Sequence, residues 1–175
     1  ALARIVENIS GKNFHTFMRE TFFKPLGMSN TKLRKYRKAA PKVIRTYTKQ
    51  GIPIPRTTCM WVPGDGGVYT NIQDMQKWGR FLAGESRSGS AIPKLMTTKS
   101  TKLKSEYGYG IWLSKTTNGK PRYMHGGVWA GAKTGIQFVP SMNLFAIALA
   151  NNEATNSMAS IANKLLDTYL ESTGN

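Results

Sequence analysis

Hydrophobic residues open the chain at helical spacing: Leu2, Ile5 and Val6 fall on one face, and Gly11 stands where a helix would stop. No Ser, Thr, Asp or Asn precedes Ala1 to cap the first turn, so the sequence reads as beginning inside a helix. Asn13 is positioned to cap a second helix, with Phe14, Phe17, Met18 and Phe22 on its apolar side and Arg19 and Glu20 on its wetter side. Pro25 and Gly27 end it. Residues 70–73, Thr-Asn-Ile-Gln, predict a capping box at Thr70. The helix it opens carries Ile72, Met75, Trp78, Phe81 and Leu82 on one face and closes at Gly84. A Ser/Gly-rich loop follows at residues 86–90, then a short apolar segment at residues 92–96.

The pattern changes at Tyr107. Residues 107–113 alternate large and small side chains, which predicts a strand. Residues 122–125 predict the next strand, after a turn at residues 117–120. Residues 135–140 and 144–150, joined by a turn at residues 141–143, predict a hairpin. The second member is apolar on both faces, which predicts a central strand. A last helix carries Met158, Ile161, Leu165, Leu166 and Tyr169 as its expected buried stripe. The order predicts an α+β protein. Residues 1–105 form part of a mostly helical, loop-rich domain, and residues 106–175 form an antiparallel sheet with a covering C-terminal helix.

Composition narrows the class. The 175 residues carry a net charge of +16, yet 40 % hydrophobic content is too high for a disordered chain. One cysteine, Cys59, excludes a disulfide framework and a cysteine-based zinc site. Two histidines, His15 and His125, argue against a histidine-rich metal centre. No apolar run has the length of a membrane span, and no signal peptide is visible. Between Thr21 and Gly64 there are ten cations and no acid, with Tyr36 and Tyr47 interleaved. This stretch suits a solvated basic loop, or weak contact with an anionic cell-envelope polymer. No nucleic-acid motif accompanies it, so no specific nucleic-acid partner is expected.

The candidate chemistry lies at residues 125–127, His-Gly-Gly, expected at the end of a strand. The glycines allow close backbone approach and can offer N–H groups to a carbonyl oxygen. An imidazole binds a carboxylate or moves a proton near neutral pH. A satisfied structural histidine beside a Gly-rich turn is the plainer reading of the same residues.

Four separated segments resemble the serine β-lactamase / D-Ala-D-Ala carboxypeptidase superfamily, nearest its class C β-lactamase-like branch with related esterases and D-aminopeptidases. They are residues 22–31, residues 64–70 running into 74–78, residues 107–112, and His125-Gly-Gly with Gly131, residues 138–140 and residues 149–151. In order they cover nearly the whole chain. The resemblance implies that His125, Gly126 and Gly127 match the family's third catalytic motif, with His in place of the commoner Lys. The charge at that position then depends on pH. Val128 follows the motif, and its backbone N–H corresponds to one oxyanion-hole donor. Trp129 and Tyr109 are candidates to line the pocket, with no role carried over. A literal Lys133-Thr-Gly135 also occurs, but the spacing to residues 138–140 places Lys133 on the following strand.

The resemblance also marks what is missing. Its nucleophilic Ser with a Lys three residues on has one literal match, Ser29 and Lys32, which chance accounts for and which falls on an expected surface turn. The Tyr-x-Asn motif that supplies the base is absent. In the family it precedes a helix similar to residues 1–10. The nucleophile and the general-base Tyr are therefore expected outside this chain, which reads as the C-terminal part of a longer hydrolase with an incomplete β-lactamase/transpeptidase-like fold. Such a protein acts through an acyl-enzyme on an amide, ester or β-lactam carbonyl, on small or peptidoglycan-like substrates. The family works in the periplasm or outside the cell, without a metal or organic cofactor. This chain alone is expected to be inactive, and the upstream part of the same protein is its expected partner. The alternatives are a non-catalytic relic of the fold and a basic polyanion-binding module.

Overall fold

The computed structural model describes residues 1–34, 44–55, 63–84, 91–101, 105–154 and 156–174. Tyr36, Cys59, residues 86–90 and much of the basic stretch lie outside the described residues. Two compact units form: Ala1–Arg45 with Ile54–Trp78, and Thr46–Pro53 with Gly79–Asn175. The textural change at 105/106 is therefore not where the compact units part.

In the first unit, α1 (Leu2–Ser10) begins without a side-chain cap and ends at Gly11. Its Ala3 is buried, whereas Leu2, Ile5 and Ile9 are exposed, Ile9 at 82 %. Asn13 caps α2 (Phe14–Met18) by accepting the Thr16 N–H. Glu7 accepts the Phe14 N–H at 2.9 Å and fixes the corner between the two helices. That bond, then Arg4, holds the Glu7 carboxyl below its ordinary range.

α2 widens into a π-helical turn at Arg19–Phe23, closed by the Lys24 N–H on the Arg19 carbonyl. The wider turn brings Phe17 and Phe22, five residues apart, edge to face at 6.3 Å. Phe22 meets Trp78 at 6.1 Å. A two-stranded ladder of β1 (Lys32–Leu33) and β2 (Val68–Tyr69) leads into α3 (Ile72–Leu82). The predicted capping box does not form. Asn71 is the cap, its Oδ1 accepting the Asp74 N–H at 2.9 Å. The helix starts one residue later than the box requires, and the Thr70 hydroxyl meets the Thr31 hydroxyl instead.

The second unit holds α4 (Ile92–Met96), β3 (Trp112–Lys115), β4 (Pro121–Trp129), β5 (Ala132–Val139), β6 (Leu144–Ala150) and α5 (Met158–Ser172). Its four strands form one antiparallel sheet in chain order. The strand expected over residues 107–113 starts only at Trp112. Gly110 takes φ 84° and the Gly108 N–H closes on the Ile111 carbonyl, so the chain bends before it joins the sheet.

β6 is the outer strand among the described residues, not the central one. Its apolar character has another cause. Leu144, Ala146, Ala148 and Ala150 pack beneath α5 in two clusters built on Val139, Leu166 and Leu170 and on Met158 and Ala162. On the opposite face the Phe145 ring lies so close to Gly79 that a Cβ there would stand 2.8 Å from it. Apolar residues thus meet cover on both faces, at Phe145 on one and under α5 on the other, although Leu149 is exposed. The buried row of α5 is Met158, Ala162, Leu166 and Leu170, spaced by four. Leu165 and Tyr169, expected in that row, are exposed, because the row spaced by four is the one that meets the sheet and its neighbour on the helix faces away.

Candidate active site

His125 sits in the middle of β4, not at the end of a strand as expected. The strand runs four residues further and turns back through Ala130 and Gly131. Both take positive φ, 40° and 78°, as a two-residue hairpin matched to the sheet twist requires. Gly126 and Gly127 are strand residues, so positive φ does not explain them. A Cβ on Gly126 would stand 3.2 Å from both the Ala159 Cβ and the Thr134 carbonyl oxygen, and one on Gly127 would stand 2.8 Å from the Thr134 hydroxyl. Gly135, opposite Gly126, admits the first turn of α5: its Cβ would lie 2.4 Å from Met158 and Ala159 backbone atoms.

These contacts assign the faces. Gly126 and Gly135 face α5, so alternation turns His125 and Gly127 the other way. His125 pairs across the sheet with Ile136. Buried Gln137 faces α5 and donates from Nε2 to the Ala159 carbonyl at 3.1 Å, tying the start of the helix to the sheet behind the glycines.

β3 ends its register at the pair Trp112–Met124. From His125 to Trp129, β4 has a ladder partner on β5 alone among the described residues. Alternate backbone groups along this stretch therefore face outward, unpaired in the sheet. His125, Gly126, Gly127 and Val128 are all exposed, Val128 at 72 % and Trp129 at 51 %. An exposed imidazole next to an open strand edge can bind a carboxylate, and the edge amides can hold an extended chain or a developing oxyanion.

The His125 ring has one neighbour that the sequence did not single out. Tyr107 Oη lies 3.2 Å from His125 Nε2. Its ring stacks edge-on against Trp112 at 4.7 Å. Tyr109, the pocket candidate, is exposed at 58 % and has no contact of this kind among the described residues. Large-small alternation gave Tyr107 and Tyr109 equal standing. The bend at Gly110 separates them, and a strand reading could not foresee it.

Lys133 lies on β5 opposite Val128 and donates from Nζ to the Glu153 carbonyl at 3.0 Å. It belongs to the following strand, as its spacing predicted. Ser29 is in a turn and Lys32 in β1, so their three-residue spacing does not span one helical turn. His15 donates from Nε2 to the Arg34 carbonyl at 2.8 Å and serves the fold of the first unit. Among the described residues no three His, Cys, Asp or Glu side chains gather as metal ligands.

A second polar cluster lies in the first unit. Asp74 is fully buried and accepts from the Thr31 hydroxyl and the Asn30 N–H, each at 2.8 Å, and from Lys77 at 3.2 Å. Lys77 also donates to the Gly27 carbonyl. Burial pushes the Asp74 carboxyl up, but the bonds from Thr31, Lys77 and Asn30 outweigh it and hold the group below its ordinary range. Every partner of this acid belongs to the fold, which marks it as structural.

Comparison with known proteins identifies the family and the fold. The profile of the family described as Beta-lactamase matches residues 1–170. A D-aminopeptidase of Gluconobacter oxydans is 25 % identical over 165 residues, covering 91 % of this chain and 31 % of its own length. A putative penicillin-binding protein of Bacillus subtilis is 25 % identical over 171 residues, covering 94 % and 41 %. The chain thus spans well under half the length of these curated relatives. Among solved structures, an octameric penicillin-binding protein homologue from Pyrococcus abyssi superposes with a TM-score of 0.81 at 22 % identity, over 97 % of this chain and 40 % of the other. A class C β-lactamase superposes with a TM-score of 0.74 at 17 % identity, over 98 % and 54 %.

Proposed function

The chain belongs to the beta-lactamase family, and from that premise we propose that it is the C-terminal portion of a serine hydrolase that works through an acyl-enzyme. Its α+β fold is that of penicillin-binding proteins and class C β-lactamases, present in part. The observation that carries the reading is the exposed His125 beside the one-sided stretch of β4.

In this reading an upstream Ser hydroxyl adds to a substrate carbonyl. Its proton passes to an upstream base, the Tyr of the missing motif, and on to the leaving group. The Ser–acyl bond replaces the amide, ester or β-lactam bond. Water then cleaves the acyl-enzyme and restores the Ser. His125 orients the substrate, through a carboxylate where it has one, and Val128 N–H donates to the oxyanion. The open edge of β4 suits an extended, peptidoglycan-like peptide better than a compact ligand, because strand addition uses the unpaired amides. A periplasmic or extracellular site of action follows from such a substrate. The excess of positive charge supports a weak, salt-sensitive contact with anionic envelope polymers.

Intact-mass measurement after incubation with a β-lactam or a fluorophosphonate tests this. The 175-residue chain takes up no acyl group. The protein extended upstream gains one adduct, on a Ser that precedes Tyr-x-Asn and this numbering. An extended protein that stays unlabelled and hydrolyses no ester, amide or β-lactam refutes the reading and leaves a non-catalytic relic of the fold.

A further inference from the structure

Tyr107 is held unusually well for a residue outside regular structure. Its N–H donates to the Ser105 carbonyl at 2.9 Å, and its carbonyl accepts from Ser100 at 3.2 Å. Next to it, Gly108 is clamped: a Cβ there would stand 2.3 Å from the Met96 carbonyl oxygen and 2.9 Å from that of Thr98. The Tyr109 N–H donates to the same Met96 carbonyl, and the Leu113 N–H to the Glu106 carbonyl. With its backbone pinned and its ring set against Trp112, Tyr107 presents its hydroxyl to His125 Nε2. Nδ1 of that ring has no hydrogen-bond partner among the described residues.

We propose that Tyr107 is a positioning residue for His125, its hydroxyl engaging Nε2 so that the ring presents Nδ1–H to the substrate carboxylate. A phenol hydroxyl suits this task because it both donates and accepts. Against neutral imidazole it donates to the Nε2 lone pair, which leaves the proton on Nδ1. Against imidazolium it accepts from Nε2–H, and Nδ1 keeps its proton. The same ring edge therefore faces the substrate in either charge state. A Lys at this position keeps its charge near neutral pH and needs no such partner; a His does. The inference rests on the reading of His125 given above, but the hydrogen bond and the tautomer it enforces are testable without catalysis.

The two histidines make the test direct. In the 175-residue chain labelled with 15N-histidine, at a pH where both rings are neutral, His15 serves as the internal reference. Its Nε2 faces a carbonyl and must carry the proton. His125 is expected to show the opposite, Nδ1–H pattern. Tyr107→Phe keeps the ring against Trp112 and removes only the hydroxyl. It is expected to return His125 toward the Nε2–H form preferred by a free histidine side chain and to leave His15 unmoved. The reciprocal variant, His125→Ala, is expected to shift the 13Cζ resonance of Tyr107, and it reads the same bond if Tyr107→Phe fails to fold. A wild-type His125 in the Nε2–H form, or a His125 spectrum unaltered in Tyr107→Phe, overturns the proposal. So does a Tyr107 resonance unmoved in His125→Ala.

In the upstream-extended protein, Tyr107→Phe is expected to lower kcat/KM roughly tenfold for a substrate bearing a carboxylate and much less for a neutral ester. An equal loss on both substrates overturns the positioning role. A protein that shows the tautomer switch but is never acylated keeps the Tyr107–His125 pair and loses the hydrolase reading.

Discussion

The two polar clusters of this chain differ in what they have left to offer. Around Asp74 every hydrogen bond is spent on the fold: Thr31 and Asn30 reach it from the turn after Met28, and Lys77 bridges it to Gly27. Around His125 the fold uses little. Among the described residues, one ring nitrogen is held by Tyr107, the other is open, and the backbone beside it is paired on one side only. A buried and saturated cluster contributes stability, whereas an exposed cluster that rigid elements hold half-satisfied is built to receive something. The two histidines repeat the lesson, since His15 is consumed by a carbonyl within the first unit.

The sharpest way to break this contrast is to exchange stability effects between the clusters. Asp74→Ala leaves the Thr31 hydroxyl, the Asn30 N–H and Lys77 without their acceptor and is expected to cost about 3 kcal/mol in urea unfolding. His125→Ala is expected to change stability by less than about 0.5 kcal/mol, because the ring is exposed and makes one bond. Equal costs would erase the distinction.

The glycines divide in the same manner. Gly135→Ala forces the first turn of α5 off the sheet, since rigid backbone stands 2.4 Å from the new methyl, and is expected to cost about 2–3 kcal/mol. Gly127→Ala meets only a hydroxyl that can rotate away and is expected to cost well under about 1 kcal/mol. It should nevertheless slow acylation of the extended protein, because its methyl lies on the His125 face. Thermal melting of the two variants side by side checks the first pair of numbers.

Acid gives a smaller and more local effect. The Asp74 carboxyl is held below its ordinary value of 3.8, so its contribution is present above that pH and is lost as pH falls through the lower folded value. Asp74→Asn should flatten that part of the acid limb. With one histidine in each unit, the wild-type signals of His15 should respond to this loss before those of His125. Simultaneous loss would show that the two units do not unfold separately.

Much of this was legible in the chain and some was not. Local chemistry announced the helix capped by Asn13, the hairpin about residues 141–143 and the place of Lys133 on the strand after His125, because each rests on a few neighbouring residues. The family was legible from the order of its motifs. Tertiary choices were not. Asn71 and Thr70 were equally able caps until Thr31 claimed the Thr70 hydroxyl across the fold. The apolar β6 suggested a central strand, whereas α5 above and Phe145 against Gly79 below explain it equally well. At the site, His125-Gly-Gly was visible as a motif, but Tyr107 was not separable from Tyr109 without the bend at Gly110. Asp74 opened a segment that carried the resemblance, but nothing in the sequence said that Thr31 and Asn30 would reach it across the fold.

The central claim is that the open stretch of β4 serves reaction and the Asp74 cluster serves the fold. The rate of acylation of the upstream-extended protein by a β-lactam, followed by intact mass, tests it most directly when His125→Ala and Asp74→Asn are compared at a temperature where both are folded. The account predicts a loss of at least about tenfold for His125→Ala and a near wild-type rate for Asp74→Asn. A wild-type rate in His125→Ala, or a loss confined to Asp74→Asn, would contradict it.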